Sequence, residues 1–390
     1  MKFETGFLSG RIAINSALNS DDMNTAFLAG QIFDGHKLDR NKAVLVVDGK
    51  IISVVSIDEV PGNFRSRDFK NCLLAPAFVD LQIYGGNGKL FSTELTTEAL
   101  EATYEYCLNG GCTRFMITMA TNSLEKFLSG IEIVRQYWNG GGKGLLGLHL
   151  EGPYINPQKK GAHMEQFIKK PNVREVTMLL ERGKGIIRMM TLAPESCDDG
   201  IIRLLRDAGV IVSAGHSNAS YSEGMNGFNW GIPAATHLFN AMSPLQGREP
   251  GLVGAIYDHP KVVSSVVSDG IHVDFASIRI SKKILGERLF FITDAVAEVL
   301  HGEYQHVFKK DRYTLPNGTL SGSALTMMQC VKNGVEKIGI DLPEALRMAS
   351  YYPSKLVGMD NLGTLAQGSI ADFVLIDENL ALKQVIVGGE

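Results

Sequence analysis

Residues Gly144–His163 read GLLGLHLEGPYINPQKKGAH. An apolar run ends abruptly on a carboxylate, Glu151, and a glycine and a proline follow at once. A short continuous apolar run suits a strand buried on both faces, as in a parallel sheet covered by helices. Gly152-Pro153 then punctuates the chain. A strand of that kind that stops on an acid sets the acid at the edge of the sheet.

Further apolar runs of this kind are LLAPAFVDLQIYGG (73–86), CTRFMITMA (112–120), IIRMMTLAPE (186–195), VIVSAGHS (210–217), AATHLFNAM (234–242), VVSSVVSDGIHV (262–273) and LFFITDA (289–295). Between most of them lie stretches of helical spacing, such as TTEALEATYEYCLNG (96–110), LEKFLSGIEIVRQYW (124–138) and DDGIIRLLRDAG (198–209). Gly110 and Gly209 fall where a left-handed helix cap is wanted. Strands alternating with helices predict an α/β fold, and eight such strands fit a closed (β/α)8 TIM-type barrel over residues 75–359. An open doubly wound sheet is the rival, but the chain has no glycine-rich nucleotide fingerprint. NGGGKG (139–144) lacks the spacing of a phosphate loop, and Gly144 stands where a Ser or Thr belongs.

The chain ends have a different pattern. AVLVVDGKIISVVSID (43–58) is two β-branched runs around Asp48-Gly49, a hairpin signature. ADFVLIDENLALKQVIVGGE (371–390) repeats strand, turn, strand. Residues 23–74 and 360–390 are therefore expected to form one small β-sandwich domain. Residues 1–22, MKFETGFLSGRIAINSALNSDD, lack the continuous apolar centre of a secretory signal and read as a leader or disordered extension.

Bulk properties exclude some function classes. With 390 residues, 45% hydrophobic and 21% charged, the chain is an ordinary globular one. A formal charge of -4 argues against nucleic acid as a partner. No apolar run approaches the ~18 residues of a membrane helix. Five scattered cysteines are an odd number, which suits a reducing, cytoplasmic setting rather than a disulfide framework. Cys107 and Cys112, with no second pair to complete a metal site, read as buried thiols.

The chemistry is expected at the strand ends. Glu151, His216, His237 and Asp294 close four of the predicted strands, and in a barrel such ends share one rim. Singly, each has a plain structural reading as a helix cap or a satisfied polar group. Together, one carboxylate and two imidazoles suit a divalent transition metal such as Zn²⁺, with a coordination position left open. Asp294 could then take a proton from water and return it to a leaving group. Beyond His237, Asn240 and Ala241 offer neutral donors, and Arg248 and His272 could meet a phosphate. Arg248 can equally be a solvated loop residue, and His272 a core or supporting one.

At these residues the chain resembles the N-acetylglucosamine-6-phosphate deacetylases of the amidohydrolase superfamily. HLEGPY with KKGAH, SAGHSNA, THLFNAMSPLQGREPGLVGA, SDGIHVD and TDA carry the likeness, and GTLSGSALTM (318–327) and GTLAQGSIADFVLID (363–377) extend it. The resemblance implies the same barrel and small sandwich. It implies hydrolysis of the acetamide of N-acetyl-D-glucosamine 6-phosphate to glucosamine 6-phosphate and acetate. It implies one divalent metal ion per subunit, Zn²⁺ before other transition metals, on Glu151, His216 and His237. Asp294 is then the base and acid, and His163 a catalytic group facing the substrate carbonyl. Ala162, Asn240, Ala241, Arg248 and His272 become substrate contacts. His149, two positions before Glu151, reads as core or as support for the ligands. Many amidohydrolases carry His-x-His at the first strand; here Gln82 and Tyr84 stand instead, so a single metal is expected, with Gln82 in support. His301 and His306 are expected to be loop residues. The resemblance also implies a homodimer in which a partner-subunit residue reaches the phosphate. The alternatives are an amidohydrolase for another acetamido-sugar phosphate or a cyclic amide, and a sugar-phosphate sensor without turnover.

Overall fold

The computed structural model describes residues 24–390; the expected leader lies outside them. Eight parallel strands run in chain order around one sheet: Phe78–Ile83, Cys112–Ala120, Leu145–Glu151, Ile187–Leu192, Ile211–Ala214, Ala234–Ala235, Val263–Val267 and Leu289–Ile292. Each pairs with the next in parallel. The seam between the eighth strand and the first closes just past the strand end. There Asp294 N–H donates to the Gln82 carbonyl at 3.0 Å and Tyr84 N–H to the Ala295 carbonyl at 2.9 Å.

Helices cover the outside because their apolar stripes need that sheet face. Side-chain caps start them: Thr96, Ser123, Asn172, Asp198 and Ser220 each accept a backbone N–H of the first turn. Gly209 takes the left-handed conformation expected at a helix end, with φ 81°. At the other predicted cap it is Gly111 that does so, with φ 80°. Gly110 is needed for space instead, since a Cβ there would lie 2.7 Å from Thr326 Cβ. Strand interiors and inward helix faces form one apolar core, from Phe78 and Phe115 to Phe290 and Phe291.

The chain ends meet in a separate six-stranded sheet. Its order is Leu382–Ile386, Phe373–Ile376, Arg65–Pro76, Asn24–Phe33, Leu38–Val47 and Lys50–Ser56. All its pairs are antiparallel except Asn24–Phe33 with Arg65–Pro76. The sheet rolls over its own apolar core, around Phe27, Val44, Ile51 and Phe373, until Ile51 N–H reaches the Ser369 carbonyl at 2.9 Å. Asp48 (φ 49°) and Gly49 (φ 71°) form the tight hairpin turn that the dipeptide predicts. Asp372, leading into this sheet, pairs with Arg114 of the second barrel strand at 2.8 Å and ties the two layers together.

Among the described residues, no helix is long and apolar enough to cross a membrane. Of the five free cysteines, Cys107, Cys112 and Cys330 are buried.

Candidate metal centre and cavity

Glu151 is the last residue of the third strand. His216, His237 and Asp294 each stand two residues past the fifth, sixth and eighth strands. All three take left-handed backbone, with φ of 48°, 39° and 54°. Such a conformation costs a β-carbon residue on the order of 1–3 kcal/mol and persists only where its surroundings enforce it. Here they do. His237 N–H donates to Ser265 Oγ at 2.8 Å, and Leu238 N–H to the Ser265 carbonyl at 2.8 Å. The strained turns swing the side chains off the strands and into the barrel mouth.

There Glu151 Oε1 lies 3.0 Å from His237 Nε2 and 3.3 Å from His216 Nε2, and the two imidazole nitrogens are 3.1 Å apart. His216 Nδ1 lies 2.8 Å from the Lys159 carbonyl, which only accepts, so Nδ1 carries the proton and Nε2 presents its lone pair. A carboxylate oxygen and two imidazole nitrogens thus crowd one buried point. Tetrahedral donors at bonds of about 2.0–2.1 Å from Zn²⁺ would stand roughly 3.3 Å apart, so the triangle fits such an ion.

The second carboxylate oxygen, Oε2, accepts from the Tyr84 hydroxyl and, at 3.1 Å, from His163 Nε2. The tautomer of His163 follows from Thr121: its backbone N–H donates to His163 Nδ1 at 3.2 Å, which leaves the proton on Nε2. Burial, with the neighbouring His216, lowers the His163 pKa to about 4, so the ring is a neutral N–H donor at the cavity. Burial alone would raise the Glu151 pKa, but the neighbouring imidazoles, His216 foremost, outweigh it and hold the carboxylate well below its usual range.

Asp294 is the opposite case. Burial, and then the charges of Glu151, Asp269 and Asp80, push its carboxyl well above the usual range against one hydrogen bond from Gln82. A cation on the triangle would restore the charged form. Gln82 Nε2 donates to Asp294 Oδ1 at 2.8 Å, lies 3.1 Å from Glu151 Oε1, and faces the Tyr84 hydroxyl at 3.0 Å. Gln82 and Tyr84 thereby occupy the space on the first-strand side of Glu151. His149 lies beneath, its Nδ1 at 3.1 Å from the Leu81 carbonyl and its Nε2 at 2.8 Å from Thr191 Oγ1. It does not line the cavity.

One cavity opens above this floor. Ala162 and His163 form one wall, and Asn240, Ala241 and His272 another. His272 Nδ1 is held by Asp269 at 2.6 Å, and its Nε2 is 4.0 Å from Asp294 Oδ2. Arg248 stands apart: it is exposed on the loop after Ala241 and does not line the cavity. No lysine or arginine among the described residues lines it.

The third wall comes from the segment after Asp294. Tyr304, His306, Leu320, Ser321 and Gly322 line the cavity. His306, read from sequence as a loop residue, is 4% exposed, with Nδ1 at 2.9 Å from Ser321 Oγ. Tyr304 donates to the Thr121 carbonyl at 2.6 Å. Asp80, Asp269 and Thr121 also escaped the sequence reading. A strand spacing of two from Gln82 could have flagged Asp80, and its place in SDGIHVD could have flagged Asp269.

Residues 73–390 match the model of the amidohydrolase family. The N-acetylglucosamine-6-phosphate deacetylase of Haemophilus influenzae is 35% identical, over 94% of this chain and 99% of its own. The N-acetylgalactosamine-6-phosphate deacetylase of Shewanella sp. is 30% identical, over 95% of this chain and 96% of its own. The crystal structure of N-acetylglucosamine-6-phosphate deacetylase from Pasteurella multocida superposes with a TM-score of 0.90 at 34% identity, covering 94% of this chain and 99% of that one.

Proposed function

The chain belongs to the amidohydrolase family, and from that premise we propose that it hydrolyses the acetamide of N-acetyl-D-glucosamine 6-phosphate, releasing acetate and glucosamine 6-phosphate. The observation that carries the reading is the buried triangle of Glu151, His216 and His237 with Asp294 tied to it through Gln82. A divalent ion, Zn²⁺ by the nature of the donors, would be held by that triangle and would supply Lewis acidity to an amide carbonyl and to a water molecule.

The protein's own groups divide the rest of the work. The His163 Nε2 proton, donated to Glu151 Oε2 at rest, would turn to the carbonyl oxygen as charge gathers there. Asp294 has Oδ1 engaged by Gln82, so Oδ2 accepts the proton of the attacking water and delivers it to the departing amine nitrogen. Gln82 and Tyr84 fill the ground a second ion would need, which supports one metal per subunit.

The phosphate end needs more than one subunit's cavity supplies. A phosphate dianion calls for a cationic donor, and no lysine or arginine among the described residues lines this subunit's cavity; of the expected phosphate contacts, Asn240, Ala241 and His272 do. Residues 237, 239 and 241 take left-handed backbone, the kind of turn whose amides can gather around an anion. We therefore propose a homodimer in which Arg248, exposed on its loop, serves the neighbouring subunit's cavity. The free cysteines favour a cytoplasmic setting.

A second reading, deacetylation of N-acetylgalactosamine 6-phosphate, is favoured by the Shewanella relative. The test is acetate release by the purified, Zn²⁺-loaded chain on both sugar phosphates. A higher kcat/KM on the glucosamine compound is expected; no acetate from either, despite full metal occupancy, would refute the proposal.

A further inference from the structure

Asp80 is 1% exposed at the inner end of a row formed by Asp80 and Gln82 on the first barrel strand and Tyr84 just past its end. Alternate strand residues share a face, and the other two already reach the floor of the site. Asp80 does not line the cavity. Its carboxylate is nevertheless fully engaged. Oδ1 accepts from Gln82 N–H at 3.2 Å and from Thr293 N–H at 3.3 Å, and Oδ2 accepts from the Thr293 hydroxyl. The same Thr293 Oγ1 accepts from Ala295 N–H at 3.2 Å. The turn is clamped across Asp294, from the residue before it to the residue after it.

Asp294 needs such a clamp. Its φ of 54° lies where a residue with a β-carbon does not settle unaided. Its carbonyl accepts from Ser323 N–H at 2.9 Å, and its N–H donates to Gln82 at 3.0 Å. The Ser323 hydroxyl also donates to the Thr293 carbonyl, but it is Thr293 Oγ1 that joins the residue before Asp294 directly to the N–H of the residue after it.

We infer that Asp80, acting through the Thr293 hydroxyl, is a positioning residue that fixes the direction in which Asp294 points at the substrate. The inference rests on the reading of Asp294 as the proton-transfer group. Stability alone does not explain a carboxylate here: burial drives its pKa to about 6 against hydrogen bonds from Thr293 and Gln82, so an ionised group at neutral pH works against folding.

The experiment uses the metal-loaded full chain with N-acetyl-D-glucosamine 6-phosphate. Thr293→Val keeps the shape and removes the hydroxyl; Thr293→Ser keeps the hydroxyl. A misdirected reacting group costs up to about 100-fold in rate. Thr293→Val and Asp80→Asn should lower kcat about 10- to 100-fold, with KM, metal content and melting temperature little changed. Thr293→Ser should restore kcat to within about threefold. Should Asp80→Asn fail to fold, the Thr293 pair carries the test. A Val variant with parental kcat, a Ser variant as slow as the Val one, or a loss of kcat matched by loss of metal or fold would each overturn the inference. Asp294→Asn is measured alongside: if it keeps full turnover, the reading of Asp294 fails, whereas loss there with an unaffected Val variant removes only the clamp.

Discussion

Gln82 donates from Nε2 to Asp294 Oδ1 at 2.8 Å. The carboxylate is thus left with one committed oxygen and one free oxygen facing the cavity. That asymmetry suits a proton shuttle, since the oxygen with no protein donor keeps its lone pairs open to the cavity. The same amide nitrogen lies 3.1 Å from Glu151 Oε1, so one side chain sets the spacing between the two carboxylates.

Asp294→Asn keeps the size of the side chain and removes its basicity. Turnover should fall by about 10²–10⁴-fold, the usual worth of a general acid–base group. Metal content should stay at the parental level, because Asp294 lies outside the triangle of donors. Steady-state kinetics with elemental analysis checks both, and an unchanged kcat would take Asp294 out of the chemistry.

Glu151→Gln replaces the only anionic donor of the triangle. Changes to residues that merely support a ligand already cost about 10- to 100-fold in metal affinity, so loss of a direct donor should reach at least the upper figure. Dialysis against a chelator followed by elemental analysis reads this without any assay of activity. Full occupancy in the variant would remove Glu151 from the site.

How much of the molecule is legible in its sequence depends on the range of the interactions. The barrel strands are readable because burial on both faces demands continuous apolar runs, as in Cys112–Ala120. Glu151, His216, His237 and Asp294 are readable because each interrupts such a run at its end. The third wall is not. AVAEVLHGEYQHVFKKDR (295–312) has no period, and Tyr304 is buried through a bond to Thr121, 183 positions away. His306 follows it inward for the same reason, stacked on Tyr304 with ring centroids 6.4 Å apart. Tyr84 looks in sequence like the loss of a ligand; its hydroxyl in fact holds the outer oxygen of Glu151, a partner that no local pattern could supply.

The phosphate should matter to binding. Charge-assisted hydrogen bonds contribute roughly 1.5–3 kcal/mol each, so N-acetylglucosamine without its phosphate should show kcat/KM lower by at least about 10²-fold. Arg248→Ala should raise KM for the phosphorylated sugar and leave the unphosphorylated one unaffected. Equal kcat/KM for both sugars in the parent enzyme would leave the phosphate without a role.

His306 should make the third wall sensitive to acid. Burial lowers its pKa from 6.5 to about 4, so the folded state resists a proton that the unfolded chain accepts readily. The stability His306 contributes is therefore complete above pH 6.5 and is lost as pH falls toward 4. A depression from 6.5 to about 4 corresponds to about 3 kcal/mol at most. Other buried histidines titrate in the same direction, so the decisive quantity is a difference between proteins. His306→Gln keeps a polar side chain beside Ser321 Oγ and cannot take up a proton. Between pH 7 and pH 5 the parent should lose about two degrees more in melting temperature than the variant does. Equal losses would mean that His306 is not held neutral by its burial.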